Sequence, residues 1–110
     1  DLAENVRNML FVFEDIVRLP DASIQRVLRE VDSKDLAKAI KGSNEEVAET
    51  IYRNMSKRAS DMLSDEIKYM GPVRLRDVEE SQQRIVQIIR QLDESGEIII
   101  ARGGEDAILT

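Results

Sequence analysis

Apolar positions recur along most of the chain at helical spacing. Leu2, Val6, Met9, Phe13 and Ile16 follow steps of four, three, four and three, which places them on one face of an α-helix. Leu10, Phe11 and Val12 fill the other sides, so residues 10–13 are apolar all round and need cover on more than one face. Pro20 disfavours helical geometry at Leu19 and is expected to end this helix. The next stripe, Ile24, Val27, Leu28 and Val31, predicts a second helix with Asp21 as its cap. Asp32 and Asp35 form a weak capping-box variant before a short helix through Leu36, Ala39 and Ile40. Gly42 is expected to close that helix in the left-handed conformation.

Ser43-Asn44-Glu45-Glu46 reads as a capping box for a helix that buries Val47, Ile51 and Met55. Ser56 is the cap of the following helix, with Ala59, Met62, Leu63, Ile67 and Met70 inward, and Gly71-Pro72 stops it. The longest pattern runs over 75–95 and has Val78, Ile85, Ile89 and Leu92 as its stripe, beside Val86 and Ile88. This stripe is expected to lie against Leu63 and Ile67. Gly96 is its stop, followed by the β-prone run Glu97-Ile98-Ile99-Ile100-Ala101 and a Gly-rich end. The connections are a few residues long, so successive helices pack as neighbours. The pattern predicts an all-α, compact multi-helix domain of about six helices with an N-terminal outrigger helix.

Composition narrows the chemistry. The 110 residues suffice for one modest core, and 42% of them are apolar. There is no cysteine and no histidine, so disulfides, thiolate nucleophiles, Ser-His-Asp triads and Cys or His metal sites are excluded. Lys plus Arg is 16 and Asp plus Glu is 22, a net charge of −6 that argues against general nucleic-acid binding. No apolar run approaches the roughly 20 residues that span a bilayer, and no signal-peptide pattern is present. The chain begins at Asp1 without an initiating Met, and is expected to be a piece of something longer.

Asp65 and Glu66 are adjacent carboxylates on a predicted helix. Adjacent helical residues point about 100° apart, so the two cannot share a proton or clamp a metal. Gly103-Gly104 lacks the flanking strand and helix of a phosphate loop. No cofactor is expected, and an enzyme is disfavoured. More informative is the line Arg58, Asp61 and Asp65, at i, i+3 and i+7, opposite the inward stripe of the same helix. Arg58 and Asp61 are placed to pair. The line is either a solvated face, whose pairs contribute roughly 0–1 kcal/mol each, or a docking ridge that steers a charged partner. Spacing alone leaves both open.

Several ordered stretches carry a resemblance. They are Leu10-Phe11-Val12-Phe13-Glu14-Asp15, Ser23-Ile24-Gln25-Arg26-Val27-Leu28-Arg29-Glu30-Val31-Asp32, Lys41-Gly42, Asn54-Met55-Ser56-Lys57-Arg58-Ala59, Gly71-Pro72-Val73-Arg74-Leu75, Asp77-Val78-Glu79-Glu80, Gln82-Gln83 and Gly96-Glu97-Ile98. Together they resemble the C-terminal domain family of the bacterial flagellar motor switch protein FliG, over nearly the whole chain. The resemblance implies an armadillo-like, superhelical arrangement, with a linking helix over 1–19 and a torque-bearing domain over 20–110. It implies a rotor and switch role at the basal body, peripheral to the cytoplasmic face of the inner membrane. The implied partners are the stator protein MotA, the switch protein FliM and neighbouring FliG copies, with no nucleic acid.

Torque-linked charges of that family fall on Lys41, Arg58, Asp65, Glu66 and Arg74. Glu66 stands where the family often has Asp, which lengthens the reach by a methylene. The implied hinge falls on Leu10, Phe11, Val12 and Phe13, with Leu10 in place of the usual Met, a stiffer side chain. Pro20 replaces the usual Asp. With the resemblance added, the docking ridge is the favoured reading. The alternative is a structural scaffold that packs ring subunits and FliM, and it would require exposed apolar patches.

Overall fold

The computed structural model describes residues 11–98 and 100. Leu2, Val6, Met9 and Leu10, the outrigger helix, Ile99, Ala101 and the Gly-rich end lie outside the described residues. A short 3₁₀ helix, Phe13–Arg18, leads into five α-helices: α1 (Asp21–Glu30), α2 (Ser33–Lys41), α3 (Glu45–Arg53), α4 (Lys57–Met70) and α5 (Leu75–Glu94). No strand occurs among the described residues, and no helix among them is long and apolar enough to cross a membrane.

Where the α-helix through Ile16 is expected, the described residues are non-helical at Phe11 and Val12 and 3₁₀ over Phe13–Arg18. Asp15 closes the start of that 3₁₀ helix: its Oδ2 accepts from Val12 N–H at 2.9 Å and its own N–H donates to Val12 O at 2.9 Å. Phe13 and Ile16 are three apart, so 3₁₀ geometry stacks both on one side, where both are buried.

Several termini differ by one residue from the sequence reading. Pro20, not Asp21, is the N-cap of α1 and makes no side-chain cap bond; Asp21 is the first helical residue. Its carboxylate instead accepts from Asn54 Nδ2 and Arg53 Nη2, each at 3.2 Å, and ties α1 to the end of α3. Asn54 and Arg53 hold the Asp21 carboxyl below its ordinary range by those bonds. Asp32 does cap α2, accepting from Lys34 and Asp35 N–H. Asn44 rather than Ser43 caps α3, accepting from Val47 N–H at 2.9 Å. Ser43 turns back instead and donates to Ile40 O at 2.8 Å. Ser56 caps α4, accepting from Ala59 N–H at 3.1 Å.

Gly42 is not left-handed; its φ is −95°. It is glycine because a Cβ there would overlap Val78 Cγ1, so the end of α2 meets the start of α5 without a side chain between them. Gly71 and Gly96 do take positive φ, 74° and 82°, and stop α4 and α5.

Helices α2 and α5 form the most extensive packing in the domain; α2 also packs against α4, α1 and the 3₁₀ helix lean on α5, and the 3₁₀ helix meets α3. Ile16, Ile24, Val27, Val47, Ile51, Ile85 and Ile89 are fully buried in one cluster. Each contributes about 1.5–3 kcal/mol by removal from water. Leu63 and Ile67 join this cluster, yet α4 packs chiefly on α2 and not on α5 as the stripes suggested. The β-prone run is a short tail. Glu97 and Ile98 N–H both donate to Leu92 O, and Ile98 and Ile100, at alternate positions, are buried on the core.

Candidate functional site

Helix α4 exposes one side along its length. Leu63 is 4% exposed, whereas its neighbour Met62, read from the sequence as inward, is 64% exposed. Met62 belongs to the line Arg58, Met62, Asp65, Tyr69, at i, i+4, i+7 and i+11, which is the outer face of α4. Leu63, Ile67 and Met70 hold another face against the core, with Leu63 the most buried, and Ala59 on that side is half-buried. Tyr69 is 79% exposed, and Lys68 Nζ lies over its ring at 5.8 Å from the centroid.

The five charged candidates all lie at the surface. Lys41 ends α2, Arg58 is the second residue of α4, Asp65 lies in its third turn and Arg74 is the N-cap of α5; all four are exposed. Glu66 is half-buried beside Asp65. Asp61 pairs with Lys57 at 3.4 Å, not with Arg58 as the spacing suggested. None of the five forms an ion pair with another described residue.

Two of the cations sit where they work against their helices. Arg58, with Lys57, occupies the first turn of α4, which carries no acidic residue. Arg74 occupies the N-cap of α5 and makes no side-chain cap bond. A helix N-terminus carries a positive partial charge, so cations there are unfavourable by a few tenths to about 1 kcal/mol. Lys41, at the C-terminus of α2, is on the favourable end.

The structure brings Asp65 and Glu66 together with lysines of α2. An open groove of about 640 Å³ runs between α2 and α4 and is lined by Lys34, Lys38, Met62, Asp65, Glu66, Tyr69 and Met70. Lys34, Lys38 and Lys41 follow at i, i+4 and i+7, a basic stripe on α2. Lys41, Arg58 and Arg74 are not part of the groove lining. The sequence reading missed the groove. The period of the line 58, 62, 65 and 69 was its signal, but Met62 adjoins Leu63 and was assigned inward with it. Among the described residues no cluster of acidic side chains is arranged to hold a metal.

The charges that hold the fold are different ones. Arg84 and Ser81 of α5 bind the Asp35 carboxylate of α2. Arg26 of α1 bridges Glu30 at 2.8 Å and Glu97 at 2.7 Å. These pairs join residues up to 71 apart in sequence, beyond the reach of helical spacing.

The hinge candidates lie at the N-terminal end of the described residues. Phe13 is buried, Phe11 half-buried and Val12 about half-exposed; Leu10 is outside the described residues.

The fold and its surface define a small all-helical domain whose ion pairs lie at the surface and which carries further, unpaired charges of both signs along the exposed face of α4. The family described as FliG C-terminal domain matches residues 1–100, and the chain belongs to it. The chain is 60% identical over 109 residues to the flagellar motor switch protein FliG of Thermotoga maritima, covering 99% of this chain and 32% of that protein. It is 57% identical, with the same coverage, to FliG of Borreliella burgdorferi. The crystal structure of FliG residues 116–343 from H. pylori superposes with a TM-score of 0.86 at 37% identity, covering 91% of this chain and 44% of that one. The chain thus spans about a third of the length of the curated relatives it matches. The family is named for a motor switch and not for a catalysed reaction.

Proposed function

We propose that this domain is the rotor-side torque surface of a flagellar motor switch, working at the cytoplasmic face of the inner membrane. Lys41, Arg58, Asp65, Glu66 and Arg74 meet complementary charges on the cytoplasmic loop of the stator protein MotA. The relatives named flagellar motor switch protein FliG supply the setting. The observation that carries the reading is the placement of Arg58 and Arg74. Both are exposed, neither is paired among the described residues, and both lie at helix ends where a cation lowers stability. A charge kept at a cost to its own helix acts on something outside it.

Opposite charges interact over about 8 Å at physiological salt, so the ridge attracts a passing stator loop without a fixed interface. No bond is made or broken in this chain; ion flow through the stator supplies the energy. Residues 10–13 form a hinge that turns the ridge relative to the preceding helices and so reverses the sense of rotation. FliM and neighbouring FliG copies hold the domain in the ring. A scaffold role alone would leave the charges idle.

The test is a double reversal. Asp65→Lys should impair swimming, and a charge reversal on the matching MotA loop should partly restore it, because only the sign of the pair matters. A double reversal no better than the worse single one, at equal expression, would leave the ridge a solvated face. A disulfide across residues 10–13 should lock rotation in one direction; normal reversal in the locked protein would remove the hinge.

A further inference from the structure

The α2–α4 groove is more than a row of charges. Its α2 wall is basic, with Lys34 and Lys38 one turn apart. Its α4 wall alternates along the helix axis: Met62, then Asp65 and Glu66, then Tyr69. At 1.5 Å per residue the two apolar groups stand roughly 10 Å apart with the carboxylates between them. Met62 and Tyr69 are largely exposed and their apolar surface lines the groove. A purely electrostatic ridge has no use for them, since exposed apolar side chains at a charged surface weaken solvation without adding attraction. Lysines and carboxylates line opposite walls, yet no ion pair joins them across it.

We infer that the groove seats an amphipathic helix of about two turns from the partner. This rests on the docking reading of Asp65 and Glu66 and gives that partner its chemistry. Met62, Asp65, Glu66 and Tyr69 follow one another along the axis of α4, so the row suits a helix laid beside it. Charge complementarity fixes the pattern. Two apolar side chains at i and i+7 cover Met62 and Tyr69. Basic side chains at i+3 and i+4 meet Asp65 and Glu66. An acidic edge meets Lys34 and Lys38. Contact is therefore part apolar and part ionic, and added salt weakens it without abolishing it.

The experiment uses full-length protein carrying this chain and a fluorescein-labelled helical peptide with leucines at i and i+7, lysines at i+3 and i+4 and glutamates along one edge. Anisotropy should report binding. Peptides with uniformly acidic or uniformly basic faces, or with both leucines changed to serine, should bind at least tenfold more weakly. Simply exchanging the two charged edges is no control, because that helix can bind in the opposite direction. Met62→Ser with Tyr69→Ser should lower affinity at least tenfold at an unchanged melting temperature. Lys34→Glu with Lys38→Glu should shift preference to the uniformly basic peptide. Equal binding of all peptides, or equal binding by wild type and the Met62→Ser, Tyr69→Ser variant, would overturn the groove. If that variant also swims normally while Asp65→Lys does not, the groove falls and the charged ridge stands. If both swim normally, both readings fall.

Discussion

Arg84 on α5 grips the Asp35 carboxylate on α2 with two parallel hydrogen bonds, Nε to Oδ2 at 3.0 Å and Nη2 to Oδ1 at 2.8 Å. Ser81 Oγ donates to the same carboxylate at 3.0 Å. Arg84 and Asp35 are 49 apart in sequence and fasten the most extensively packed helix pair of the domain. Planar two-point geometry of this kind is specific to Arg, and Lys cannot reproduce it.

Acid stability should therefore depend on Asp35. The Arg84 hydrogen bonds, with help from Ser81, hold its carboxyl below the ordinary range. A depressed folded-state pKa stabilises the fold above the unfolded value, and the benefit is lost as pH falls through the folded value. Asp35→Asn should melt lower than wild type at pH 7, and the gap should close as pH drops below about 4. Parallel melting curves at every pH would show that the clamp does not contribute.

Gly42→Ala should destabilise by contact, not by backbone strain. The φ of −95° suits alanine, but the new methyl meets Val78 Cγ1. Overpacking of this kind costs about 1–3 kcal/mol. Val78→Ala in the same chain should recover part of that loss, so the double variant should be more stable than the sum of the singles. Additive losses in urea melts would place the cause elsewhere.

Neighbouring residues on α4 should respond oppositely to truncation. Leu63→Ala removes a core side chain and should cost about 2–5 kcal/mol. Met62→Ala lies on the outer face and should leave stability within about 0.5 kcal/mol. Ile89→Ala on α5, fully buried, should behave like Leu63→Ala. Thermal denaturation of the three variants reads the helix register directly, and similar losses at Met62 and Leu63 would contradict it.

Charge changes on the ridge should separate folding from motility. Arg58→Asp replaces a cation by an anion at the N-terminus of α4, so it should keep or raise the melting temperature, by up to about 1 kcal/mol. The same change should impair swimming. On the proposed function, which spreads the interaction over five charges, single neutralisations of Lys41, Arg58, Asp65, Glu66 or Arg74 should be mild and combinations severe. A variant that loses both stability and swimming would point to a structural role.

The sequence by itself determined that this chain is helical, where five of its helices lie and, Met62 apart, which stripe of each turns inward. It also carried the family resemblance. These features are local. Helical period, caps and Gly-Pro stops act over three or four residues, so they can be read in order along the chain. Even there, competition at helix ends moved the caps from Asp21 to Pro20 and from Ser43 to Asn44, since each freed side chain had another partner.

What only the tertiary structure decided is which faces meet. Helical spacing leaves Met62 and Leu63 as neighbours of similar hydropathy; the seat of α4 on α2 buries one and exposes the other. Gly42 is glycine for the sake of Val78, 36 residues away by sequence number, and not for its own φ. Asp35 finds Arg84, and Arg26 finds Glu97, only once the helices have docked. The groove exists for the same reason: its basic wall comes from α2 and its acidic and apolar wall from α4, and no property of either helix alone sets them face to face.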